Sequence, residues 1–97
     1  MTIEWSVDAL ADLERFAKFL HDRFPSFAAI IAGELIEKLD LLSQNPMLGH
    51  PVSGHKNYRQ LIVRVLGGAY VVYYLATDEQ LTILRVFHGR EARTIDD

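Results

Sequence analysis

An α+β fold of two layers is predicted for this 97-residue chain by three observations. Apolar residues recur at helical spacing in two stretches of the first half. Three stretches of the second half are rich in valine, tyrosine and isoleucine, and the links between neighbouring elements are short. The expected order is a short N-terminal strand, an antiparallel helical hairpin and a three-stranded antiparallel meander, βααβββ. The hairpin should cover one face of the sheet and leave the other open.

Thr2–Trp5 reads as the short strand. Ser6 stands at a helix N-cap position with Asp8 in the first turn, where an acidic group is favoured. Leu10, Leu13, Phe16 or Ala17, Leu20 and Phe24 then recur at helical spacing, and the helix should end near Phe24–Pro25. Pro25–Ser26 opens a second helix with the stripe Ala28, Ala32, Leu35, Leu39 and Leu42, ended by Asn45–Pro46; Gly33 is its one weak position. The intervening charges of both helices read as solvated faces. NPMLGHPVSGHKN, from Asn45 to Asn57, holds two prolines, two glycines and two histidines and is a loop. Tyr58–Leu66 alternates, with Leu61, Val63 and Val65 on one face. Gly67–Gly68 makes a turn, Ala69–Ala76 is a central strand, residues 77–80 turn again, and Leu81–Phe87 is the last strand.

Ninety-seven residues make one domain, 1–97, with room for one core. The absence of cysteine excludes disulfides, Cys-ligated zinc and thiol catalysis. MTIEWSVDALADLE has no basic, then apolar, leader pattern, and AYVVYYLA is too short to span a bilayer, so a soluble cytoplasmic protein is expected. Residues 1–55 carry four Lys/Arg against eight Asp/Glu, and residues 56–97 carry six against five. That is at most a local basic face, weak for a dedicated RNA binder. His50 and His55, with no acidic residue near them, make a poor metal site, and no metal or organic cofactor is expected.

One cluster carries chemistry: Arg64 with RVFHGRE at the end of the last strand, holding Arg85, His88 and Arg90. RNA cleavage without a metal needs a base, an acid and cations for the phosphate. His88 could supply proton transfer, and Arg64, Arg85 and Arg90 could clamp phosphate. In a regular strand Arg85 and His88 point to opposite faces and could share a site only through a bulge or a change of direction near Phe87, so the role of Arg85, clamp or structural residue, stays open.

The chain as a whole resembles toxins of the ParE/RelE superfamily. The resemblance is carried by Trp5-Ser6 with Ala9-x-x-Asp12-Leu13, by Leu42-x-x-x-Pro46-x-x-Gly49, and by Tyr58-Arg59-x-Leu61-x-Val63. Ala69-Tyr70-Val71-Val72-Tyr73-Tyr74 and Ile83-Leu84-Arg85-Val86-Phe87-His88-Gly89-Arg90 complete it. It implies the toxin of a type II toxin–antitoxin pair, neutralised by a cognate antitoxin in a hetero-oligomer, with a homodimer as the other assembly. The RelE-like branch cuts mRNA on the ribosome, whereas the ParE-like branch poisons DNA gyrase and blocks replication. Arg64, Arg90 and His88 fall on or near functional positions of the nucleases. However, Tyr70 is followed by Val71 where they carry arginine, Gly89 follows His88 where some carry tyrosine, and the loop lacks their glutamate. These departures favour the ParE-like branch, with the RelE-like endoribonuclease and an inactive antitoxin-binding regulatory module as alternatives. Arg59, Arg64, His88 and Arg90 are then candidates for touching the target. Leu13, Phe16, Leu20, Tyr70 and Tyr74 are candidates for holding the antitoxin.

Overall fold

The structure, a computed structural model, describes residues 2–65, 68–89 and 94–96. Its elements are β1 (Thr2–Trp5), α1 (Val7–Arg23), α2 (Ala28–Asp40), a 3-10 turn (Leu41–Ser43), β2 (His50–Pro51), β3 (Tyr58–Val65), β4 (Gly68–Ala76) and β5 (Gln80–His88). The predicted order is present, with one addition: two residues of the long loop form β2. The sheet order is β1-β5-β4-β3-β2, with β1 parallel to β5 and the other pairs antiparallel.

Ser6 starts α1 as predicted. Its backbone is extended and its Oγ accepts the Ala9 amide at 3.0 Å, satisfying one of the orphan donors of the first turn. The buried stripe of α1 is Ala9, Asp12, Phe16 and Leu20, one position away from the predicted one at its start, and Leu10 is 49% exposed. The displacement has a cause: Asp12, expected on the solvated face, is drawn inward by partners on β5. In α2 the buried residues are Ile31, Leu35 and Leu39, and the predicted Ala32 faces solvent. An i, i+4, i+8 row ending in two leucines makes the wider contact with the sheet.

The core lies between the hairpin and one face of the sheet. Phe16, Leu20, Ile31, Leu35, Leu39 and Leu42 meet Val63, Tyr70, Val72, Tyr74, Leu81, Ile83 and Val86 there. The other face was expected to be open. It is closed at its centre, where Tyr73 and Phe87 are buried edge to face with ring centroids 6.1 Å apart. Arg85 lays its guanidinium carbon 4.5 Å from the Phe87 ring centroid, and Gln60 donates to the Tyr73 hydroxyl at 3.3 Å. Ile62, 56% exposed, and the exposed Arg64 keep the β3 side of that face in solvent.

Candidate functional site

The second half of β5 is built around an irregularity. Tyr73 pairs with Arg85 and Tyr74 with Ile83, so Leu84 is an extra residue, a β-bulge. Leu81 and Ile83 before the bulge face the helices, and so do Val86 and His88 after it. Arg85 and Phe87 are thereby moved to the other face. β1 has ended by this point, and among the described residues no other strand pairs with the outer edge of β5. Side chains take its place. Ser6 Oγ donates to the Leu84 carbonyl at 2.8 Å, and Asp12 Oδ2 accepts the Val86 amide at 2.8 Å.

Asp12 is 1% exposed, a cost that only dense pairing offsets. Arg85 curls round the edge of β5 to reach it with two bonds, Nε to Oδ2 at 2.9 Å and a terminal nitrogen to Oδ1 at 3.1 Å. Arg15, one turn along α1, adds a third at 2.8 Å. Burial pushes the Asp12 carboxyl up, but the hydrogen bonds from Arg85, the Val86 amide and Arg15 outweigh it and hold the carboxyl below its ordinary value. A carboxylate taking four donor bonds has no free lone pair with which to act as a base. Asp12 and Arg85 fasten α1 to β5.

His88 lies on the helix-covered face, paired in register with Tyr70. Its ring sits edge-on to Tyr70 at 5.4 Å and tilted against Phe19 at 6.4 Å, and Arg23 covers the other end of this row at 5.2 Å from the Phe19 centroid. Gly68 makes room for it: φ is +152° there, and an added Cβ would stand 3.0 Å from His88 Nε2. Arg64 pairs with Ala69, one rung away from Tyr70, and so points to the opposite face from His88. Its carbonyl, on the outer edge of β3, accepts Lys38 Nζ. The structure therefore does not bring Arg64 and His88 together. Arg90, the remaining candidate, lies outside the described residues.

Arg59 belongs to a second fastening. The Tyr74 hydroxyl donates to the Pro46 carbonyl and accepts the Gly49 amide, both at 2.8 Å, while Arg59 donates to the Gly49 carbonyl at 2.6 Å. Gly49 is obligatory, since a Cβ would meet the Gln60 carbonyl oxygen and the Tyr74 ring at 2.8 Å. Burial pushes the Tyr74 hydroxyl above its ordinary value, and the Gly49 amide and Arg59 offset only part of that. Of the residues read as holding an antitoxin, Tyr74, Tyr70, Phe16 and Leu20 are core, between 0% and 6% exposed, and offer no surface to a partner in this fold. The reason is the hairpin: their faces of α1 and β4 cover each other. Leu13 is half-buried.

Among the described residues no three His, Asp or Glu side chains cluster to hold a metal, and no helix is long and apolar enough to cross a membrane. Sequence reasoning missed Asp12 and Gly49 as fastening points. Asp12 could have been found, because Ala9–Asp12–Phe16–Leu20 is a helical stripe with one acidic member.

The family model for the ParE toxin of type II toxin–antitoxin systems matches residues 3–93. Toxin RelE1 of Caulobacter vibrioides is 30% identical over 92 residues, covering 95% of this chain and 97% of that protein. A solved structure of the chromosomal ParDE system of P. aeruginosa matches with a TM-score of 0.75 at 22% identity, over 91% of this chain and 95% of that one. One of the RelBE2 toxin–antitoxin complex of Mycobacterium tuberculosis matches with a TM-score of 0.52 at 25% identity, over 90% and 95%. The ParDE likeness speaks for the fold, and the family match extends from β1 to past the end of β5. The chain therefore belongs to the ParE toxin family of type II toxin–antitoxin systems, within the ParE/RelE superfamily.

Proposed function

We propose that this toxin acts on DNA gyrase in the cytoplasm, by binding and not by cleaving RNA, and that a cognate antitoxin neutralises it. The observation that carries the reading is the separation of Arg64 and His88 on opposite faces of the sheet. A metal-free nuclease needs its proton-transfer group and its phosphate clamp around one reacting phosphate, within hydrogen-bond reach. The ParE description of the matching family supports the same branch. Arg64 and the exposed Ile62 on the second face are the target contacts we put forward.

The name of the Caulobacter relative keeps a second reading, a ribosome-dependent mRNA endoribonuclease. A pulse of labelled thymidine and labelled amino acid, minutes after induction of the toxin alone, separates the two. Thymidine incorporation is expected to fall first, and purified toxin to inhibit gyrase supercoiling. If translation stops first, and His88→Ala abolishes mRNA cleavage, the gyrase reading is wrong.

A further inference from the structure

Helix α2 is apolar on two faces. Ile31, Leu35 and Leu39 face the sheet, but on the opposite side Ile30 is 52% and Ile36 47% exposed, flanking Gly33 and close to Ala29. Gly33 costs helix stability and has no internal justification, because an added Cβ would meet nothing within 4 Å. A glycine facing solvent between two isoleucines leaves a notch in which a second helix can approach closely. Such crossings occur where small residues sit at the contact.

The charges say which helix. Residues 25–33 carry no charge, whereas Glu34, Glu37, Lys38 and Asp40 fill the C-terminal half. The N-terminus of α2 has no side-chain cap and no acidic residue in its first turn, so its own first turn leaves the positive dipole end uncompensated. An antiparallel copy of the same helix supplies what is missing. Turned about Gly33, it brings Glu37 and Asp40 to the uncapped N-terminus of the other copy. It also sets Ile36 against the small Ala29 and opposes no charge to its like. A parallel copy would set Glu37 against Glu37.

We infer that the chain self-associates as a two-fold dimer through the outer face of α2, with the two helices antiparallel and crossing at Gly33. One helix face is a small interface, so dissociation on the order of 10 µM is expected. Because the chain lacks cysteine, single-cysteine variants report the geometry cleanly. Under mild oxidation an equimolar mixture of Ala29→Cys and Ile36→Cys should give the mixed disulfide dimer. Each variant alone should give little, and Ile36→Glu should remain monomeric in sedimentation equilibrium with an unchanged far-UV spectrum. Gly33→Ala supplies a second readout. It should raise the melting temperature of the dilute monomer by about 4–8 °C while weakening the dimer at least about tenfold. Self-crosslinking of Ala29→Cys would show parallel pairing and overturn the geometry. A wild-type chain still monomeric at about 100 µM, well above the expected dissociation range, overturns the dimer and leaves this face to a helix of another protein. Undiminished dimerisation of Gly33→Ala overturns the crossing point.

Discussion

Asp12 illustrates how a charge can be buried without being reactive. Four donor bonds from Arg85, Arg15 and the Val86 amide converge on it at 1% exposure. Asp12→Asn leaves the Arg85 guanidinium facing an amide and should cost about 3–5 kcal/mol, read as a lowered urea midpoint. Replacing both partners, Asp12→Leu with Arg85→Met, should recover most of that loss, since a buried pair exchanged for apolar groups is often neutral. A double variant no more stable than the single one would show that the pair does more than fasten α1 to β5. Tyr74 is a milder case. Tyr74→Phe strips the Gly49 amide and the Pro46 carbonyl of their partner and should cost about 1–3 kcal/mol in the same assay. Gly49 is explained by the same contact. Its place in Pro46-x-x-Gly49 was visible, but not the tyrosine hydroxyl that demands it, which lies 25 residues on.

At the level of elements, Ser6 joins three of them. Its hydroxyl caps α1 and donates to β5 at the bulge, and its amide donates to the Ile83 carbonyl at 3.0 Å. Ser6→Ala keeps the amide bond but removes both hydroxyl bonds, and a loss of about 1–3 kcal/mol is expected by thermal melting. A variant within about 0.5 kcal/mol of wild type, the range of ordinary surface changes, would mean that water replaces the hydroxyl. The cap itself was legible, because an N-cap is a local pattern. The helices and the three long strands were legible too, through their periods of 3.6 and 2. β2 was not, since two residues carry no alternation. Nor was the parallel pairing of β1 with β5, a choice made between segments 78 positions apart. The bulge at Leu84 was equally hidden. It decides which face of the sheet Arg85, Phe87 and His88 each take, and hence whether His88 can stand on the same face as Arg64.

For the molecule as a whole, the Asp12 network sets an acid limit. The Asp12 carboxyl is held below its ordinary value in the folded chain, so unfolding takes up a proton once pH falls below about 4. Its contribution is complete above that range and is lost as pH drops through the lowered native value. The gap between the urea midpoints of wild type and Asp12→Asn should therefore narrow as pH is taken from about 6 to below about 4. A gap that stays constant would place the acid sensitivity elsewhere. The gyrase reading also belongs to this scale, because it requires an intact second face of the sheet and no reacting group.

The pairing of β1 with β5 has a consequence for how the chain is made. β1 is made before β5, which is its neighbour in the sheet, and waits unpaired until β5 is synthesised. The sheet, and the fastening of α1 through Asp12 and Ser6, can close only once β5 has been translated. A chain interrupted before Gln80 lacks the neighbour of both β1 and β4, so it cannot complete the toxin's surface. Long-range closure of this kind also folds slowly, because the entropy of joining the ends is lost before the contacts form. A fragment that stops short of β5 therefore has no finished sheet on which to present Arg64 and Ile62 in their folded places.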